Sequence, residues 1–309
     1  MSLTVVGTVA FDAIETPFGK TDKIIGGAGT YIALAASYFQ KNTNLISVVG
    51  NDFPETYLKL LKNHNIDIEG IQIKKDEKTF FWSGKYHDNM NKRDTLVTEL
   101  NSLANFDPVV PDSYQNSKYL MLGNLTPSVQ QKVIDRMDKR PEFIMMDTMN
   151  FWMDKTPDDL KKTVSNVDLL CINDEEAQQF SGENSLLSAA EKIIADGPKY
   201  LIIKKGKHGA LLFGENKIFS APALPLKTVF DPTGAGDTFA GGFIGYLSDT
   251  DDLSFENMKN ALIIGSVMAS FTIEKFGTEG LQQLSKSEIG KRVKQFIDLT
   301  RFNLDPEKI

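Results

Sequence analysis

Val229-Phe-Asp-Pro-Thr-Gly-Ala-Gly-Asp-Thr-Phe-Ala-Gly-Gly-Phe243 places a glycine-rich turn, a carboxylate and a small-residue helix start within one short run. Gly234, Ala235 and Gly236 leave backbone N–H groups uncovered, so several donors can converge on one anion. The helix that begins near Asp237 adds its positive dipole end at the same spot. A carboxylate there is awkward for stability but useful for chemistry, because it can take the proton of a hydroxyl that attacks phosphorus. A plain helix N-cap would account for Asp237 and the glycines. It leaves out Asp231 and Thr233, packed around the same bend, and Gly241 and Gly242, which keep the helix slim. The segment reads as a phosphotransfer site.

Working outward, 309 residues suffice for one large α/β domain or a core with a small appendage. Hydrophobic content of 41% and charged content of 24% are those of an ordinary globular chain. A net charge of −7 without long basic runs argues against a nucleic-acid or membrane-surface partner. The lone cysteine, Cys171, cannot form an internal disulfide and lies in the apolar run Asp168-Leu-Leu-Cys-Ile172, which reads as buried strand. No export signal or membrane-spanning run is visible, and a cytoplasmic location is expected. Three histidines and one cysteine offer no zinc cluster.

Strand-like and helical patterns alternate along most of the chain. Leu3–Gly7 reads as a buried strand running to Asp12, 28–39 as an alanine-rich helix, 44–49 as a strand and 54–63 as a helix. Alternation of this kind builds βαβ units and a parallel sheet. Residues 68–73, 79–87 and 95–100 are strand-like with no helix among them, so a small antiparallel sheet is expected there, joined by the polar stretch 13–24. From residue 118 the alternation resumes, passes a hairpin at 210–220 and ends in three helices. The expectation is a single domain over 1–309, a three-layer α/β fold with a mainly parallel central sheet and a small β-sheet lid from about 13–24 and 68–100.

Four further groups carry chemistry. Gly26-Gly-Ala-Gly-Thr-Tyr-Ile-Ala33 opens the first long helix, with Asp12 nearby; tight-turn geometry alone would explain the glycines. Asn173-Asp-Glu-Glu176 follows a buried strand, where Asn173 can cap a helix whose acids complement its dipole. Lys204-Lys-Gly-Lys-His-Gly209 can be a simple turn between strands. Phe276-Gly-Thr278 follows the penultimate helix. Together with 229–243, these residues resemble the ribokinase-like (PfkB) family of carbohydrate kinases over nearly the whole chain.

The resemblance implies ATP and Mg²⁺ as cofactors, with K⁺ a further candidate. Asp237 becomes the catalytic base, and Gly234, Ala235 and Gly236 the anion hole. Asp12, Gly26, Gly27 and Tyr31 fall in the substrate pocket, although the family usually has Asn where this chain has Tyr31. Asn173 and Glu176 help to place ATP and hydrated Mg²⁺. Lys204, Gly206 and Gly209 belong to the nucleotide loop, where Thr is common at the position of Lys204. Ser266 and Gly277 line the adenine pocket, and Asp231 with Thr233 belongs to a monovalent-cation site. Phe80, Phe81, Trp82 and Tyr86 fall in the lid, where aromatic packing suits a homodimer; Arg93 is a surface charge or a phosphate ligand.

Rival classes fail on the letters. Gly19-Lys-Thr21 lacks the earlier glycine of a P-loop, which would fall at Ile14. No Gly-x-Gly-x-x-Gly follows the first strand, and no Gly-x-Ser-x-Gly elbow is present. The expected activity is ATP-dependent phosphorylation of a hydroxyl on a sugar or sugar-like molecule. A nucleoside kinase and a catalytically silent ligand-binding module remain as alternatives, and retention of Asp237 speaks against the silent module.

Overall fold

Buried apolar runs alternating with amphipathic segments set the order of elements from the N-terminus. The computed structural model describes residues 2–90 and 92–305. Met1 and 306–309, at the ends of the expected domain, and Asn91, inside the expected lid segment, lie outside the described residues. β1 (Leu3–Val6) leads to β2 (Ala10–Thr16), β3 (Gly19–Lys20) and β4 (Ile24–Gly26), then α1 (Ala28–Ser37), β5 (Thr43–Gly50) and α2 (Glu55–Asn63). β6 (Ile66–Asp67), β7 (Ile71–Lys74), β8 (Phe81–Tyr86) and β9 (Arg93–Glu99) follow with no α-helix among them. Next come β10 (Tyr119–Leu122), α3 (Pro127–Asp135), β11 (Phe143–Asp147), α4 (Asn150–Lys155), α5 (Pro157–Val164) and β12 (Leu169–Asn173). The chain continues through α6 (Asp174–Ser181), α7 (Leu186–Ala195), β13 (Tyr200–Lys204), β14 (Ala210–Gly214) and β15 (Lys217–Ala221). It closes with α8 (Ala235–Thr250), α9 (Phe255–Thr272) and α10 (Lys286–Thr300).

The large sheet runs β15-β14-β13-β12-β11-β10-β1-β5-β6, with β7 also beside β5. Pairing is parallel from β13 to β6, and the β14–β15 hairpin adds two antiparallel strands at one edge. Its central strands are buried on both faces, as parallel strands must be when helices cover them. The period of two divides each strand between the layers: on β10, Tyr119 and Met121 meet the cluster under α1, α8 and α9, while Leu120 and Leu122 meet that under α3, α5 and α7. The fold is therefore three-layered. α8 packs closely on α1, because a Cβ on Gly241 would stand only 2.3 Å from the Ile32 carbonyl oxygen. Among the described residues, no helix is long and apolar enough to cross a membrane.

The second sheet runs β3-β2-β8-β9, with β4 beside β2. Three expectations change here. The sheet is mixed, since β2 pairs β8 in parallel. Residues 66–74 belong to the large sheet, where β6 and β7 extend β5 and Ile66, Ile68 and Ile71 join its core. Asp12 does not end the first core strand but lies within β2, because the chain breaks at Gly7, which is pressed against the Gly29 backbone. Phe11 anchors the small sheet with its ring 5.4 Å from that of Phe53, and Phe18 packs on Phe230 at 5.1 Å.

Candidate active site

Asp147, Asn173 and Lys204 are the last residues of β11, β12 and β13, and the register sets Asp147 beside Cys171 and Asn173 beside Lys204. Ligands in open α/β sheets bind at this carboxyl end of the strands. The N-terminus of α8 arrives at the same place. Its N-cap, Gly234, has φ 74°, a left-handed conformation that glycine adopts without penalty, and no side chain caps the helix. Ala235 N–H donates to the Pro232 carbonyl at 3.2 Å. The N–H groups of Gly234, Gly236 and Asp237 have no acceptor among the described residues. The open side of Gly234 lies on the Tyr31 ring, and that of Gly236 faces the Lys204 ammonium.

Carboxylates crowd this end of the molecule. Lys204 Nζ donates to Asp147 Oδ2 at 2.5 Å. Burial opposes the charge of this lysine, but Asp147, together with Cys171 and Glu176, more than offsets it and holds the ammonium well above its usual range. Burial, then repulsion from Asp147, pushes Asp237 up to about 7 against the opposing pull of Lys204 and Arg93. Glu176 is raised to about 7 mainly by burial. Asp12 rises to about 7 by burial, tempered by the Gly27 amide and reinforced by Asp231 and Asp237. Asp147 repels Asp237 and Glu176, Asp237 repels Asp12, and Lys204 and Arg93 are the cations that oppose them.

The sequence-selected residues fall into two sets. Asp12 Oδ2 accepts the Gly27 N–H at 3.4 Å, and a Cβ on Gly26 would stand 1.9 Å from that oxygen, so Gly26 makes room for Asp12 while Gly27 lies against Thr8. Asn173 and Glu176 form a reciprocal capping box, each bond 2.8 Å, so the structural role of this pair is present. Tyr31 is 1% exposed, and its hydroxyl has no partner among the described residues. With one ring face under Gly234, it is a floor beneath the turn and not an open stacking surface. Asp231 accepts the N–H groups of Thr233 and Gly277, both at 2.8 Å, and staples the 229–234 turn to the segment after α9.

Lys204, expected in the nucleotide loop, is the last residue of β13. Gly206 and Gly209 shape the 3₁₀ turn that follows, and Gly209 (φ 86°) lies against the backbone of Ala221 and Pro222. Ser266 sits part-buried on α9 beside Gly265, which packs on Phe239. Among the described contacts, Gly206, Gly209 and Ser266 do not join the Asp237 group.

Two contributors, Asp147 and Tyr86, escaped notice as site residues, and Arg93 was left between a surface charge and a phosphate ligand. Asp147 carried one usable signal, its place at the end of a parallel strand. Tyr86 and Arg93 come from the small sheet. Thr233 Oγ1 donates to Tyr86 Oη at 3.1 Å, and the positive charge of Arg93 pulls against the rise that burial imposes on the same phenol. An aromatic in a strand gives no hint that its hydroxyl will meet a residue 147 positions away.

A cytidine kinase from Thermococcus kodakarensis is 30% identical over 250 residues, covering 80% of this chain and 88% of that protein. The solved nucleoside kinase of Methanocaldococcus jannaschii superposes with a TM-score of 0.76 at 21% identity, covering 95% of this chain and 98% of that one. A candidate ribokinase II from E. coli, in complex with ATP and Mg²⁺, superposes with a TM-score of 0.78 at 18% identity, covering 96% and 99%. The structural likenesses establish a ribokinase fold. Residues 2–283 match the model described as pfkB family carbohydrate kinase, and the chain belongs to that family of ATP-dependent phosphotransferases acting on an alcohol group.

Proposed function

We propose that this chain transfers the γ-phosphoryl group of ATP to a ribose hydroxyl, on a nucleoside before a free sugar, with Asp237 as general base. One observation carries the reading: Asp237 stands in the first turn of α8 among unpaired amides, with its carboxyl raised to about 7. Such a carboxylate is basic enough near neutrality to remove a hydroxyl proton as the oxygen attacks. The acceptor oxygen bonds to the γ-phosphorus, its proton passes to Asp237, and the bond from phosphorus to the ADP oxygen breaks. Charge on the moving group meets the N–H groups of Gly234, Gly236 and Asp237. This moves the expected hole by one residue, because the Ala235 amide already closes the turn on Pro232. Asp12 accepts hydrogen bonds from the acceptor's hydroxyls.

Mg²⁺ fits the donor set. Glu176 presents hard oxygens, while Asp147 is taken up by Lys204 and Asp237 by the proton of the acceptor hydroxyl. Among the described residues no three groups stand close enough to hold an ion directly, which suits a metal reached through water. When bound with ATP, Mg²⁺ neutralises phosphate charge. Asp231 accepts two backbone amides and the Thr233 hydroxyl donates to Tyr86, so only their remaining oxygen lone pairs would face a K⁺ ion.

The small sheet acts as the lid in this reading. Tyr86 and Arg93 reach from it to the 229–237 turn, which suits closure that keeps water from competing for the phosphoryl group. Its edge strand β9 is exposed along its whole length, including Leu96 and Val97. Unpaired edges of this kind invite a second strand, and we assign this one to a homodimer. Sedimentation at micromolar concentration should give twice the mass of one chain; the mass of a single chain overturns the assignment. ATP use and a buried free Cys171 fit a cytoplasmic enzyme.

The similarity to a cytidine kinase supports the nucleoside assignment. ADP release should be measured with cytidine, adenosine, inosine, ribose, fructose and 2-keto-3-deoxygluconate in parallel. A nucleoside is expected to give the highest kcat/KM. A higher value on any free sugar overturns that assignment and leaves phosphotransfer standing.

A further inference from the structure

We infer that Lys204 is a fixed cation of the phosphoryl site that contacts the transferred group itself, and that Asp147 is the residue positioning it; this rests on the phosphotransferase reading above. β13 presents Lys204 from its last residue, and β11 presents Asp147 from its own. Their 2.5 Å contact uses one of the three ammonium N–H donors. Among the described residues, the other two have no acceptor. The ammonium also lies against Gly236, where a Cβ would stand 3.2 Å from Nζ. Gly236 is the second residue of α8, so the free donors of Lys204 share their space with the unpaired amides of that helix.

A lysine in this position is unfavourable until an anion joins it. Its side chain is 17% exposed, and its charge sits at the positive end of a 16-residue helix. Asp147 offsets part of that cost, yet buried ion pairs are by themselves near neutral or unfavourable for stability. Stability therefore does not explain two unpaired N–H groups beside an anion cradle. A phosphoryl group in flight does, since it spreads negative charge over three equatorial oxygens. The family resemblance leads one to expect a neutral Thr at this position, and this chain carries an ammonium instead. Asp147 has a second consequence. By holding Lys204, it keeps the ammonium from closing on Asp237, whose free carboxylate the reaction needs.

Titration calorimetry in Mg²⁺, with ADP and with an imido-bridged ATP analogue that cannot react, separates the roles. Lys204→Met should weaken the analogue about 10- to 100-fold, the scale of a lost charge-assisted hydrogen bond or two, while ADP affinity stays within about twofold. Removing one partner of a buried pair can unfold the protein, so Lys204→Met/Asp147→Asn serves as the charge-balanced companion. It should keep a cooperative thermal transition and show the same selective loss of the analogue. Equal losses for both nucleotides would put the ammonium on the ADP phosphates and overturn the inference. Unchanged affinities in the double variant would reduce the pair to a structural one and overturn it too. Neither result touches the role of Asp237, which its own substitution tests.

Discussion

Replacing Asp237 with Asn is expected to lower kcat by roughly 10²–10⁴-fold, the usual scale for losing a general base. Asn matches the shape of Asp, so KM for ATP should change little and the fold should persist. Stability makes this expectation sharper. The folded carboxyl is raised above its unfolded value, so charging it destabilises the protein progressively as pH rises from about 4 through about 7. Asn removes that cost, and the thermal midpoint of the variant at pH 8 should equal or exceed that of the parent. Activity runs the opposite way in the parent chain. The base must be unprotonated, so kcat/KM should climb as pH rises through about 7 and then level off. Near-normal turnover in Asp237→Asn would remove Asp237 from the mechanism as stated.

Gly234→Ala should be nearly as damaging, for a mechanical reason. At φ 74° an L side chain carries about 1–3 kcal/mol of strain. The new Cβ would also stand 2.5 Å from three atoms of the Tyr31 ring, closer than real contacts allow. Tyr31 is 1% exposed and projects from α1 into the core, so the turn must yield rather than the ring. A shift near 1 Å in a positioning element can reduce rate about 100-fold, and that loss is expected in kcat/KM. Gly182→Ala is the control. Gly182 has φ 75° at the far end of α6, and its nearest neighbour beyond the chain would be the flexible Lys192 tip at 4.0 Å. It should share the loss in thermal midpoint and keep parental kcat/KM. Equal activity losses in the two variants would mean that backbone strain, not the cradle, is responsible.

Much of the molecule was legible from residues 229–243 outward because its signals are local. A parallel strand buried on both faces must be apolar throughout, so β1, β5, β10, β11 and β12 stand out from the chain around them. Gly234, Gly236 and Asp237 belong to one turn and one helix start, so their convergence is written into consecutive positions. Short segments were less clear. Residues 66–74 have strand character that suits either sheet, and only the free edge of β5 decides which one they join. The same holds for side chains far apart in sequence. Asp147 and Lys204 are separated by 57 positions, and Tyr86 and Thr233 by 147, so no periodicity could pair them. Local pattern determined the three-layer α/β core, the glycine turn and its carboxylate. Tertiary structure alone decided that Tyr31 is a floor, that Ala235 closes a turn and that a buried lysine faces the cradle, because burial and charge pairing depend on which distant residues share the same few ångströms.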